Sequence, residues 1–278
     1  MIDAEPGQQK AAAPAPVRSL ARRAWRVGSG WGEGAREAAE ETAVALVFDG
    51  ATQAVMMATP ADLEDFGIGF ALTEELVESV GEIAACEITP GPLGVEVRMW
   101  LTPGPRSALA ARRRRLAGPT GCGLCGVDSL AEAGRAPRPV TGALTLTAGQ
   151  VAAAMEALSA AQPLGRATRA AHAAGFWTPQ AGLVAVREDV GRHNALDKLA
   201  GALARSGVAG GCGAVLLTSR VSVEMVQKAA AIGAPILVAV SAPTALAVRT
   251  ADAAGITLAA VARADGFEVF THPHRITT

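Results

Sequence analysis

Residues 214–261 read AVLLTSRVSVEMVQKAAAIGAPILVAVSAPTALAVRTADAAGITLAAV. Three apolar runs, 214–217, 236–240 and 256–261, have strand length. Continuous rather than alternating apolar residues mark strands buried on both faces. Between them, 221–232 and 244–254 have helical spacing. Strand, helix, strand, helix, strand implies a parallel α/β sheet. The uncharged run 229–248 is long enough to cross a bilayer, but Gly233, Pro235, Ser241 and Pro243 divide it. It therefore reads as a helix end, a buried strand and a new helix start.

Upstream, Leu196, Leu199, Ala200 and Leu203 mark one helix face, and 176–177 with 183–186 form a hairpin candidate. Thr147 and Gln150 make a capping-box pattern for a helix reaching about residue 161. These elements make a C-terminal unit over residues 145–278.

A second unit is expected over residues 41–144. Its strands 43–48 and 54–58 flank an Asp49-Gly50 turn. Thr59-Pro60-Ala61-Asp62 reads as a helix start with Thr59 as N-cap. In 95–101, Val95, Val97, Met99 and Leu101 alternate with Glu96, Arg98 and Trp100, a half-buried strand. An Arg-rich helix over 107–116 follows. Residues 1–40 are rich in Ala, Pro, Gly and Arg without periodicity and read as a disordered tail, in which Trp25 and Trp31 dock locally. The fold class is α/β (α+β overall), with a β-rich N-terminal unit.

The chain has 278 residues, half of them hydrophobic, and a formal net charge of −1. That length suggests about two domains. The charge argues against broad nucleic-acid binding. The N-terminus, MIDAEPGQQK, lacks an apolar h-region, so a reducing cytoplasmic setting without a membrane anchor is expected.

In Gly121-Cys122-Gly123-Leu124-Cys125-Gly126 two thiols sit three residues apart between glycines, after Arg112, Arg113, Arg114 and Arg115. Guanidinium charge lowers a thiol pKa and favours the reactive thiolate. Sulfur transfer, metal binding, dithiol redox chemistry and an inert turn all remain open on the motif alone. A zinc site would need ligands from Cys86, Cys212, His172 or His193, and none forms a second close pair. The H-x-E and P-C-x-x-C of zinc deaminases are absent. Cys86 and Cys212 read as packed small residues, and His172 as a core or loop histidine. His272 and His274 show no metal partners in sequence.

Two further constellations suit a ligand. Residues 187–194, Arg-Glu-Asp-Val-Gly-Arg-His-Asn, follow a strand and open a helix, where free N–H groups bind anions. Asp189 and His193 are the candidates there, with His193 as a helix cap in the alternative reading. Thr218-Ser219-Arg220 repeats the logic after the next strand. Ser219 and Arg220 suit a phosphate or guanine edge, and Ser219 or Ser222 also suits simple N-capping.

MMATPADLEDFGIGFALTEELVE, TGCGLCGVDSL, REDVGRHNALDKLAG, SRVSVEMVQKAA and FTHPHR together resemble the formate dehydrogenase accessory sulfurtransferase family, FdhD, from about residue 43 onward. The resemblance implies a cytoplasmic, homodimeric sulfur carrier. It would accept persulfide sulfur from a cysteine desulfurase and pass it to molybdenum bis(molybdopterin guanine dinucleotide) for formate dehydrogenase. It also implies a C-terminal cytidine deaminase-like, three-layer α/β domain without zinc. The persulfide cysteine falls on Cys122 and the second loop cysteine on Cys125. The cofactor segment falls on Val261, Ala262, Arg263, Ala264, Asp265 and Gly266. An aromatic residue is usual where Val261 stands and a basic one where Gly266 stands; the basic residue at Arg263 is kept. GDP is the expected mimic of one cofactor arm, with Arg220 and Arg263 meeting phosphate or stacking on the base, and Asp189 or Asp265 reading the guanine edge. The alternatives are a cofactor chaperone without sulfur chemistry and a zinc-binding structural protein.

Overall fold

The computed structural model describes residues 12–116 and 137–278, excepting the side chains of 110–116. The chain folds as an α/β protein. Residues 17–39, expected within a tail, instead form an antiparallel hairpin of β1 (Val17–Arg26) and β2 (Gly30–Ala39), with Trp25 opposite Trp31. Gly28 and Gly30 take positive φ in its turn, which glycine adopts without a Cβ clash. Both tryptophans stay exposed, and the Arg23 guanidinium lies 5.5 Å from the Trp31 ring centroid. Arg36 ties the hairpin to the body by donating to Thr168 O at 3.2 Å.

The N-terminal sheet has the order β4-β3-β6-β5, with β3 (Thr42–Phe48), β4 (Ala51–Ala58), β5 (Ile83–Gly91) and β6 (Gly94–Leu101). The β3–β6 pair is parallel and the others antiparallel. Alternation sends Val44, Leu46 and Phe48 of β3 and Val95, Val97, Met99 and Leu101 of β6 into one core. Helix α1 (Leu63–Thr73) covers that core with Leu63, Phe66 and Phe70, and α2 (Pro103–Leu116) follows β6. The N-cap of α1 is Asp62 in a left-handed conformation, not Thr59 as the sequence suggests.

In the C-terminal unit a short β7 (Leu146–Thr147) leads into α3 (Ala148–Ala160), whose Thr147/Gln150 capping box forms as expected. Next come α4 (Pro163–Thr168), β8 (His172–Thr178), β9 (Gly182–Asp189), α5 (Arg192–Arg205), β10 (Ala214–Leu217), α6 (Val223–Ile232), β11 (Ile236–Ala239), α7 (Ala245–Ala253), β12 (Thr257–Arg263) and β13 (Gly266–Val269). A terminal β14 (Ile276–Thr277) pairs with β7. The large sheet runs β13-β12-β11-β10-β8-β9. Only the β10–β11 and β11–β12 pairings are parallel; the β8–β9, β8–β10 and β12–β13 pairings are antiparallel, so the sheet is mixed rather than parallel throughout. Val215, Leu217, Leu237 and Leu258 face α5, α6 and α7, and Leu216, Ile236 and Val238 face α3. The result is three layers. In the uncharged stretch, Gly233 ends α6 in the left-handed region and Thr244 caps α7. No helix among the described residues is long and apolar enough to cross a membrane.

Candidate functional site

The two units meet where α1 crosses α5. A Cβ on Gly69 would sit 1.7 Å from Asp197 O, and one on Gly201 1.9 Å from Asp65 O. The two helix backbones therefore touch, which only glycine permits at these positions.

Charged residues line this seam, each with a partner. Asp189 and Lys198 are both fully buried and pair at 2.6 Å. Lys198 Nζ donates to Thr59 O, and the Asp189 carboxylate accepts from Thr59 N, Gly191 N and Asn194 Nδ2. The Thr59 hydroxyl accepts from Val190 N, so Thr59 clamps the seam instead of capping α1. Burial pushes the Lys198 ammonium below its ordinary pKa, against the pull of Asp189. Lys228 donates to Asp197, Thr73 and Glu74 at 2.8, 3.0 and 2.8 Å. Burial raises the Asp197 pKa, with Lys228 opposing. On Lys228, burial acts downward, but Asp197 and Glu74 together push its pKa up. Asp65 accepts from Arg187 and Arg205 at the rim. The Lys198 and Lys228 ammonium groups each lie 5.8 Å from a ring of α1, Phe66 and Phe70.

This network corrects one site assignment. Asp189 cannot read a guanine edge, because its carboxylate has no exposure and its oxygens are already taken. Burying a carboxylate is tolerable only when it is paired and hydrogen-bonded in this way.

The other candidates gather along one edge of the large sheet, where β9, β10, β11 and β12 end and β8 begins. His172 opens β8, and the neighbouring Ala173 N–H donates to the Thr218 hydroxyl at 2.8 Å. Burial lowers the His172 pKa, and the charges of Arg192 and Arg220 lower it further. His193 lies in the first turn of α5 rather than at its cap, which is Gly191. Burial and then the Arg192 charge lower its pKa to about 4, so the ring is neutral near neutral pH. Ser219 is buried and donates to Arg220 O at 3.0 Å, while Arg220 itself is exposed.

Residues 262–266, with Phe267, wall a cavity of about 230 Å³ against Ala148, Val151, Ala152 and Met155 of α3. Just before them Val261 takes φ 54. A β-branched residue in the left-handed region is a genuine outlier. Strain of that kind costs about 1–3 kcal/mol and clusters at ligand sites. The β12–β13 register shifts between Ala260 and Arg263. Arg263 donates to the carbonyls of Val240 and Ala262, and Ala264, Asp265 and Gly266 are exposed.

A larger cavity, about 360 Å³, lies at the opposite edge of the sheet, between the end of α1 and residues 207–210. Arg138, close to where the described chain resumes, lines it and pairs with Glu75 at 3.6 Å. Cys122 and Cys125, with the side chains of the four arginines, lie outside the described residues. Cys212 is exposed, not packed as expected, with its thiol donating to Ala209 O. Cys86 is half-buried in β5, where burial raises its thiol pKa to about 11. Among the described residues no three His, Cys, Asp or Glu side chains form a group that could hold a metal ion.

Sequence missed the seam altogether. Gly69 in α1 and Gly201 in α5 are the residues that permit the close contact, but nothing in one sequence pairs the two helices.

This three-layer α/β unit, joined through a glycine seam to a small β-rich unit, matches a known family. The FdhD/NarQ family model matches residues 39–277, and the chain belongs to that family. It is 51% identical to the sulfur carrier protein FdhD of Agrobacterium fabrum over 94% of this chain and 97% of that one. It is 53% identical to the protein of the same name from Brucella abortus, over 89% and 93% of the two chains. The crystal structure of a formate dehydrogenase accessory protein from Desulfotalea psychrophila superposes with a TM-score of 0.72 at 28% identity, covering 94% of this chain and 99% of that one.

Proposed function

We propose that this chain is a sulfur carrier for formate dehydrogenase maturation, working in the cytoplasm as a homodimer. The observation that carries the reading is its 51% identity, over nearly the full length of both chains, to a protein named as a sulfur carrier. The Cys122 thiolate attacks the outer sulfur of a persulfide on a cysteine desulfurase. A new S–S bond forms, the old one breaks, and the donor leaves as a thiolate. Cys122 then holds a persulfide. Releasing its outer sulfur as sulfide needs two electrons. The Cys125 thiol supplies them by attacking the Cys122 sulfur and closing a disulfide. The sulfur acceptor is molybdenum bis(molybdopterin guanine dinucleotide), a substrate rather than a resident group. The open sheet edge and the strained turn at Val261 support a site for one guanine-nucleotide arm, which GDP would mimic, with Asp265 left to read the base.

The test is intact mass after incubation with a cysteine desulfurase and cysteine. One added sulfur on Cys122 is expected. Cys122→Ser should abolish the gain, because a hydroxyl is a poor nucleophile at its ordinary pKa. Cys125→Ser should load sulfur but release it slowly. Loading of Cys122→Ser at the wild-type level would refute the reading, and full formate dehydrogenase activation by that variant would favour a cofactor chaperone.

A further inference from the structure

Two surface features at opposite ends of the molecule complement each other. The first is the tip of the β1–β2 hairpin, where Trp25, Trp31 and Val27 are 57%, 66% and 87% exposed. Trp25 stands opposite Trp31 across the strands, so both rings lie on one face. Exposed apolar groups gathered in this way mark an interaction site. A two-stranded hairpin is also only marginally stable by itself in water, so covering the tip would stabilise the whole arm. Residues 17–39 hold five arginines and two glutamates in a chain of net charge −1, which leaves the remainder net negative. Arg26, beside Trp25, is exposed, and Arg23 lies over Trp31. The second feature is the cavity of about 360 Å³ beyond the end of α1. Leu72, Val77, Val80, Leu203, Val208 and Ile232 give it apolar walls. Its mouth is acidic. Residues 74–82 hold four glutamates and no cation, and Glu75 and Glu78 line the cavity. Arg138 reaches these two only at 3.6 and 3.9 Å, and the Glu78 side chain stays 79% exposed. The hairpin is tied down at Thr168, just before β8 begins, which is the edge away from the cavity. Its tip lines no part of the cavity of its own chain.

We propose that the tryptophan tip of one chain seats in the acid-rimmed cavity of a second copy, and that this contact, made twice, builds the homodimer. The cavity has room for an indole ring, and the second ring covers the mouth. Arg23 and Arg26 travel with the rings and bring guanidinium charge to Glu75 and Glu78, replacing the loose hold of Arg138. Arm and cavity lie at opposite ends of each chain, so an antiparallel two-fold pair closes both contacts at once and leaves no open end. The strands of the arm, ten residues each, give it a reach of roughly 30 Å. A buried tryptophan covers about 150–250 Å². Four of them, with the walls they cover, reach the lower end of the about 1,200–2,000 Å² that a stable interface buries. The inference rests on the homodimer proposed above and is independent of the sulfur chemistry.

The experiment is analytical ultracentrifugation of the full chain over a dilution series. Wild type should sediment as a dimer that dissociates on dilution. Trp31→Ala should weaken the dimer at least about thirtyfold, the size of an interface hot spot. Arg26→Glu and Glu78→Arg change exposed side chains, so they keep the test valid if the tryptophan variant disturbs the arm. Each sets like charges against one another across the contact and should weaken the dimer about tenfold or more. Combined in one chain they exchange the two charges, and association should return to within about threefold of wild type. Wild-type association in Trp31→Ala, or a double variant as weak as the single ones, overturns the contact and leaves the homodimer to another interface. A wild-type chain that stays monomeric throughout overturns the contact and the homodimer together, and particles larger than a dimer overturn the two-fold closure. Sulfur loading of Cys122 is read on the same wild-type sample. Failure to load overturns the carrier reading and leaves the contact standing.

Discussion

The seam between α1 and α5 and the open edge of the large sheet draw their charges from the same short stretch of chain, yet they use them in opposite ways. At the seam, Asp189, Lys198, Asp197 and Lys228 are buried and saturated with partners. At the edge, among the described residues, Arg192 and Arg220 form no close ion pair, and Arg192 interacts with the Glu224 carboxylate only through its charge. Within 187–198 the role of a charged residue is thus set by which side of the first turn of α5 it faces. A paired buried charge holds two units in register.

The strongest way to break that comparison is to remove one seam partner. Lys198→Met leaves the fully buried Asp189 without its counter-ion and should cost about 3–5 kcal/mol in urea unfolding. Adding Asp189→Asn should recover part of the loss; a single variant as stable as wild type would show that the seam pair is dispensable. Next in size is Gly201→Ala. Its Cβ meets a backbone oxygen, not a flexible side chain, so a loss of about 3 kcal/mol is expected, at the upper end of overpacking costs. A denaturation midpoint within error of wild type would mean the helices separate easily.

His193 joins the two regions, feeling Arg192 at the edge and Lys228 at the seam. Its pKa falls from 6.5 in the unfolded chain to about 4 in the folded one. Between those values the unfolded chain holds a proton that the folded chain does not. Stability is therefore full above pH 6.5 and is lost as the pH falls toward 4. After allowance for solvent screening the effect is about 1–2 kcal/mol. His193→Gln should flatten that part of the curve when unfolding is followed against pH, and an unchanged slope would assign the acid limb to other groups. The smallest effect is expected away from both regions. Arg98 and Glu96 pair at 2.6 Å with both side chains nearly half exposed. Glu96→Gln should change stability by under about 1 kcal/mol, and a larger loss would show that exposure is a poor guide to which charges matter here.

Much of this was legible in the sequence. The alternation over 214–261, the Thr147/Gln150 capping box, the 176–186 hairpin and the half-buried strand of Val95, Val97, Met99 and Leu101 are local patterns, and all of them form. The 17–39 hairpin escaped notice because Ala, Gly and Arg have weak strand preference, and cross-strand pairing supplies what propensity lacks. Thr59 was misassigned because Thr-Pro is a sound local helix start. A tertiary partner, the Val190 N–H, takes the Thr59 hydroxyl instead.

The sequence by itself determined the layers, the order of the strands along the chain, and the positions of the thiol pair and the charged loops. Period, capping and turn chemistry are properties of neighbours. Only the tertiary structure decided that Asp189 is a sealed seam residue while Arg192, three positions later, stands at the open sheet edge with its Nε unpartnered. The physical reason is that burial and pairing depend on atoms contributed from far along the chain. Gly69 lets α1 approach α5 closely enough for Thr59 and Met57 to reach Asp189 and Asn194, and no spacing within 187–194 records that approach.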